Sequence, residues 1–291
     1  MACESFKLVD KNDNEISLAD YGLYIGSIGG GIPNENFLPD QENIVVDGII
    51  NLDGAIFQSQ KLKPRPLNIP VFFEDKTEYE INQIKQKFYC KTSKKLIWDR
   101  HPYKYIWIVN NGKIDLNYIW RAEDKFDGFF EIPYIAYDPL YYSLFDSSTL
   151  PAYLEDVLSN PNYAQLFYDA GFPYLEDLEA YKYVGVVVDG SLTLNNRGNY
   201  ESKLLIKLVG DCTDLTITNT TTGKSFDIAS MTSETLYIDG VRGQIRDETS
   251  LQTDSFDGDF IKLEAGENII TLTSTAINLS ELEFIYKYTY L

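Results

Sequence analysis

The feature that most limits what this chain can fold into is the cadence of its sequence from Tyr183 onward. The segments YVGVVVDGS, SKLLIKLVG, DLTITNTTTGKSFDI, ETLYIDGVRG, FIKLEAGENIITLT and LEFIYKYTY follow one another at short, steady intervals, divided by Gly, Asp, Asn and Thr. Apolar residues that alternate or run briefly between turn formers are the pattern of β-strands, because successive side chains of a strand point to opposite faces. The last segment is the clearest: Leu282, Phe284, Tyr286, Tyr288 and Tyr290 fall on one face, Glu283, Lys287 and Thr289 on the other. Strands at this spacing predict an all-β sandwich domain over 183–291.

The first part of the chain has a different texture. Between Phe6 and Ile69 short apolar runs such as LYIGSI and NIVVDGII are broken by turn residues, and LNIPVFFED adds a further strand. The stretch EDKTEYEINQIKQKFYCKTSKKL then places Ile81, Ile84 and Phe88 at i, i+3 and i+7, with acids early and lysines late, which predicts one amphipathic helix. In KLIWDRHPYKYIWIVNNGKIDLNYIW, Tyr103, Tyr105, Trp107 and Val109 alternate on one face, and Asn111-Gly112 is the residue pair of a type I′ hairpin. DGFFEIPYIAYDPLYYSLF supplies a closing strand. The expected first domain is therefore residues 1–138, mainly β, a barrel or sandwich crossed by one helix, ending at Asp138-Pro139.

Residues 139–182 read as a helical connection or insertion. Pro151 and Pro161 suit the first turn of a helix, Asn160 suits an N-cap and Gly171 a C-terminal stop. Two or three short helices are expected between Ser147 and Tyr183. They are read either as a contact surface for a neighbouring protein or as a packed inter-domain connection.

A chain of 291 residues is long enough for two domains at ~150 residues each. Its 44% hydrophobic content is enough to bury a core in each. The excess of 44 acidic over 25 basic side chains gives a formal charge of -19, which repels a phosphate backbone and argues against a sequence-reading nucleic-acid binder. No run approaches the ~20 apolar residues of a membrane helix, and the first residues lack a basic stretch leading into an apolar one, so no membrane insertion and synthesis in the cytoplasm are expected. Cys3, Cys90 and Cys212 are odd in number, far apart and without a C-x-x-C pattern, and read as reduced, ordinary thiols.

A search for chemistry finds little. His101 is the sole histidine and precedes Pro102; a general base needs a nucleophile or carboxylate placed against it, and none is adjacent, so it reads as a turn or interface residue. No G-x-S-x-G or phosphate-loop pattern occurs, and Gly29–Gly31 alone is no cradle. Asp254, Asp257 and Asp259 in DSFDGDF lack the twelve-residue calcium-loop spacing and its closing glutamate, and read as a turn. Acidic pairs are too abundant to single out two carboxylates for glycoside hydrolysis. Trp98, Trp107 and Trp120 lie on strands whose alternation suggests core packing instead of sugar stacking, and Tyr200 and Tyr237 are the possible platforms on the second domain. No catalytic, cofactor-binding or metal-binding residue is assigned.

In order along the chain, DYGLYI, IVVDG, LNIPVFFED before the lone helix, KLIWDRHPYKYIWI, DGFFEIPYIAYDPLYY, NNRGNYESKLLIKLVG, ITNTTTGKSF, GDFIKLEAGENIITLT and ELEFIYKYTY resemble the distal tail family of long-tailed bacteriophages. The resemblance spans nearly the whole chain except the helical stretch. It implies a virion protein of the tail tip, with no catalytic residue and no cofactor. It further implies a homohexameric ring whose first domains surround the channel, joining the tail tube protein to the tail-tip hub, with jelly-roll (galectin-like) second domains projecting outward as a platform for a receptor-binding protein. DNA would pass an acidic channel without specific binding. The competing expectations are a carbohydrate-binding β-sandwich protein of a virion or cell surface and, more remotely, a hydrolase with an acidic pair.

Overall fold

The computed structural model of the chain describes residues 5–26, 38–46, 56–89, 91–121, 124–150, 181–186, 190–251 and 256–291. The chain divides into two compact units, Met1–Tyr141 together with Leu291, and Tyr142–Tyr290. The described residues are mostly β-strand, with one α-helix.

The first unit contains β1 (Phe6–Val9), β2 (Glu15–Ser17), β3 (Leu23–Ile25), β4 (Gln41–Val46), β5 (Ile56–Leu62), β6 (Arg65–Thr77), the helix α1 (Glu78–Phe88), β7 (Lys94–Trp98), β8 (Lys104–Asn110), β9 (Leu116–Trp120) and β10 (Lys125–Ala136). Its strands pair in the order β2-β1-β7-β8-β10-β6-β3, with β9 on the early part of β10. The long antiparallel pair β6–β10 is the spine: Arg65 faces Ala136 at one end and Thr77 faces Lys125 at the other. Alternation along β6 buries Leu67, Ile69, Val71 and Phe73, and β10 answers with Phe130, Ile132 and Tyr134. Gly128 is required where it stands. It lies opposite Phe73, and a Cβ there would come within 2.3 Å of the Phe73 ring.

The helix forms as its sequence predicts. Thr77 caps it, its hydroxyl accepting from the Glu80 amide while the Glu80 carboxylate accepts from the Thr77 amide, a reciprocal box worth about 1 kcal/mol. The Thr77 amide and the Thr77 hydroxyl, both donating to the Glu80 carboxylate, hold its carboxyl below its ordinary pKa. Ile81, Ile84 and Phe88 are buried, and the Phe88 ring meets the edges of Phe6 and Tyr21. At the far end the Tyr134 hydroxyl donates to the Phe88 carbonyl at 3.0 Å, satisfying one of the acceptors a helix C-terminus leaves open.

Two local expectations are corrected. Asn111-Gly112 does not close a two-residue hairpin: β8 ends at Asn110, β9 starts at Leu116, and the two do not pair. The Asn111 amide instead donates to the Pro133 carbonyl and Tyr134 pairs with Asn110, so β8 takes β10 as its neighbour and β9 becomes a hairpin arm of β10. Trp120, on that arm, is 64% exposed and is not a core residue, whereas Trp98 is buried. The connection from β4 to β5 spans 47–55, so the Asp47-Gly48 turn lies outside the described residues.

The strand β11 (Tyr141–Ser143) carries the chain from the first unit into the second. The helices expected between Ser147 and Tyr183, with Pro151, Asn160, Pro161 and Gly171, lie outside the described residues for all of 151–180. The second unit comprises β12 (Lys182–Val186), β13 (Gly190–Asn196), β14 (Ser202–Asn219), β15 (Lys224–Asp239), β16 (Gln244–Arg246), β17 (Phe256–Gly258), β18 (Lys262–Leu263), β19 (Gly266–Thr273), β20 (Ala276–Tyr286) and β21 (Thr289–Tyr290). The two apolar runs SKLLIKLVG and DLTITN form one strand, β14. Its first half pairs with β20 from Leu204 to Thr213, and its last residues pair with β19 from Thr216 to Asn219, while β15 follows it throughout. Such strands turn the corner between the two layers of a sandwich-like fold, and corners are made at irregular residues. Here the buried positions run Leu204, Ile206, Leu208 and Cys212, then change phase to Leu215 and Ile217. Gly210 at φ 128° and Asp214 at φ 51° lie at the change. On the last strands Leu282, Phe284, Tyr286 and Tyr288 are buried as their shared face predicts, but the alternation breaks between β20 and β21: Thr289, expected on the other face, is buried, and Tyr290 is only partly covered.

Three asparagines hold the turns of this unit. Asn196, Asn219 and Asn268 are fully buried. The Asn219 amide donates to Asn268 Oδ1 at 3.0 Å and to the Lys262 carbonyl at 2.8 Å, and Asn268 bonds the Glu264 amide and carbonyl and the Gly266 carbonyl. The Asn196 amide reaches the Tyr200 carbonyl and its oxygen accepts from the Gly198 amide. A buried polar side chain is tolerated when its partners are supplied in this way.

Candidate interaction surface

β4 and β5 form a two-stranded ribbon that pairs with no other strand among the described residues. Two strands alone have no second layer to cover them, so their apolar side chains stay in water. Val45 and Phe57 are direct cross-strand neighbours on one face, 47% and 60% exposed, and Ile44 and Leu38 are exposed as well. Asp40 and Glu42 lie beside these groups. The ribbon continues through Lys63 and Pro64 into the start of β6.

At the other end of β6 a cavity of about 260 Å3 opens between α1 and the strands beneath it. Its walls are Phe73, Ile81, Ile84, Phe88, Leu116 and Phe130, and Lys85 and Tyr89 stand at its edge. Most of these wall residues are buried, so the hollow is a feature of the packed core. From Leu116 the outer strand β9 leads away, with Tyr118 and Trp120 on the same face as Leu116 and both exposed. The Tyr118 ring meets the edge of Phe126 at 5.2 Å. Exposed apolar groups gathered in this way mark interaction sites on soluble proteins.

The residues weighed for chemistry are not brought together. His101 sits half-buried beside Tyr103, and burial, then the charges of Lys104 and Arg100, push its pKa down to about 4. It is therefore neutral near pH 7. Lys104 is held down to about 8 by burial and by Arg100 and Arg65. Both Lys104 and the buried Arg65 lie over the Tyr141 ring, at 4.7 and 5.3 Å. Cys212 is free and buried, its thiol pushed up to about 11, which keeps it protonated and unreactive. Cys3, Cys90, Gly29–Gly31 and Asp254 lie outside the described residues. Asp259 accepts from the Lys224 ammonium at 2.6 Å, and among the described residues no three His, Cys, Asp or Glu side chains gather to hold a metal ion. Tyr237 is covered by the Arg246 guanidinium at 4.5 Å, and Tyr200 is half-buried with its amide bonded to Thr289. Among the described helices none is long and apolar enough to cross a membrane.

Sequence reasoning missed the ribbon and the cavity. The cross-strand pairing of Val45 with Phe57, on which the exposed face depends, is set by a register that spacing alone does not give.

Residues 34–127, which include the ribbon, α1 and β9, match the family described as the phage tail protein RIFT-related domain. Over its whole length the chain has the fold of a distal tail protein: it is similar to the crystal structure of SPP1 Dit, presented as a paradigm of the hub adsorption apparatus in phages infecting Gram-positive hosts, at 13% identity and TM-score 0.59 over 99% of each chain. No curated protein matches the chain.

Proposed function

We propose that this protein is a structural component of a phage tail tip, a distal tail protein whose six copies close into a ring between the tail tube and the tail-tip hub. The observation that carries this reading is the end-to-end likeness of both units to SPP1 Dit. The family match over the ribbon-bearing part of the first unit supports it. In this reading the first units surround the channel, the galectin-like second units project outward, and receptor-binding proteins use them as a platform. The formal charge of -19 suits a channel through which DNA passes without sticking. Assembly, with no catalytic step and no cofactor, is the activity. The carbohydrate-binding alternative loses its best surface, because Arg246 already occupies the Tyr237 ring.

Light scattering on the purified protein tests the ring. Six 33.3 kDa subunits give a species of about 200 kDa. A monomer at every concentration contradicts a ring that forms without tail partners.

A further inference from the structure

The buried face of β6 begins with an arginine. Along that strand Arg65, Leu67, Ile69, Val71 and Phe73 alternate inward, and Arg65 is 1% exposed. A charge in a core position is costly unless acceptors surround it, and an apolar side chain there would be cheaper. Among the described residues the buried Nε and Nη2 of Arg65 have no hydrogen-bond acceptor. Asp138, just past the strand partner Ala136, accepts from the Leu140 amide and not from these two groups.

The surroundings add positive charge instead of removing it. Lys104, at the start of β8, lies over the same Tyr141 ring as Arg65. Burial, then the charges of Arg100 and Arg65, lower its pKa to about 8, so it still carries its proton at pH 7. His101, close to Lys104 and Arg100, is neutral there and brings no negative charge. Exposure is graded from Arg100, which is exposed, through half-buried Lys104 to buried Arg65. Cationic groups thus lead from solvent to the orphaned guanidinium, in a chain whose formal charge is -19.

We propose that Arg65, Lys104 and Arg100 form a binding site for a small oxyanion of the phosphate class, seated with two of its oxygens on the Arg65 guanidinium. Nε and Nη2 lie on one edge of that group with their N–H bonds parallel, the fork that matches paired oxygens of a phosphate or carboxylate. Three cations favour a dianion over a monocarboxylate, since each added negative charge is met by a further positive one. The anion relieves the repulsion among the three side chains. It also ties the Arg65–Ala136 end of the β6–β10 pair to the start of β8.

Equilibrium dialysis of the full chain against radiolabelled inorganic phosphate at pH 7, with chloride holding the ionic strength constant, tests the site. The expected result is saturation at one phosphate per chain with a Kd below ~1 mM. Arg65→Met suits the apolar face of β6; it raises the melting temperature in phosphate-free buffer, because a buried unpaired charge is gone, and lowers phosphate affinity at least about tenfold. Arg100→Ala, at an exposed position, leaves the fold intact and weakens binding by about threefold or more. Should Arg65→Met fail to fold, Arg100→Ala and Lys104→Met decide the matter in its place. Absence of saturable binding overturns the site and leaves water as the partner of the guanidinium. Binding that is indifferent to these substitutions lies elsewhere on the chain and overturns it as well. Acetate that displaces phosphate at equal concentration overturns the assignment to the phosphate class.

Discussion

Phe6→Ala unfolds the first unit at a markedly lower denaturant concentration, with an expected loss of about 3–5 kcal/mol. Phe6 is fully buried on β1, and its ring meets Phe88 of α1 at 6.3 Å and Trp98 of β7 at 5.8 Å, both edge to face. Truncation removes the transfer energy of the ring and leaves a hollow that two fixed strands cannot close. It also takes away the support beneath Phe88, which is a wall of the α1 cavity. Tryptophan fluorescence reads the change cleanly, because Trp98, Trp107 and Trp120 all belong to the first unit. A variant whose tryptophan transition stays where it was contradicts the packing described for β1.

Asn268→Leu acts on the second unit, at a cost of about 3 kcal/mol or more. Leucine keeps the branching of asparagine but is bulkier, so overpacking at this buried site adds to the cost, and Asn268 satisfies the Glu264 amide and carbonyl, the Gly266 carbonyl and the Asn219 amide. Each buried polar group left without a partner costs ~1–3 kcal/mol, and several are orphaned at once. Cys212 reports the outcome: buried in the same unit, it reacts with iodoacetamide only when that unit opens. Peptide mass spectrometry should show its alkylation accelerating by about a hundredfold or more in the variant if that cost is expressed in opening. Unchanged alkylation contradicts the structural role of the asparagines. Asn268→Asp keeps the acceptor and loses the donor, and a smaller effect is expected.

These two residues show how much of the protein was legible in its sequence. Helix α1 was legible, because Ile81, Ile84 and Phe88 have one spacing, with acids early and lysines late; its Thr77–Glu80 capping box was found in the structure. The terminal strand was legible as far as Tyr288, because a two-residue period admits one buried face; the break between β20 and β21, which turns Thr289 inward, was not. The asparagines were not. ITNTTTGKSF, GENIITLT and NNRGNYE announce turns, yet nothing in their composition says that Asn219, Asn268 and Asn196 point inward and bond groups up to 67 residues away. Asn111-Gly112 misled because the local preference for a tight hairpin was overridden by pairing of β8 with the distant end of β10. Trp120 misled because alternation gives a face and not its cover; among the described strands β9 pairs with β10 alone, and its Tyr118 and Trp120 stay exposed. The ribbon is the same lesson in another place, since Val45 belongs to the apolar run NIVVDGII and is exposed.

The tail-tip assignment itself is tested most directly by electron microscopy of phage particles that encode this chain, decorated with gold-labelled antibody against residues 190–291. Gold at the end of the tail distal to the head, within the width of a ring around the tube, is the predicted result. Gold on the head, or particles that carry no label while free protein does, would contradict it.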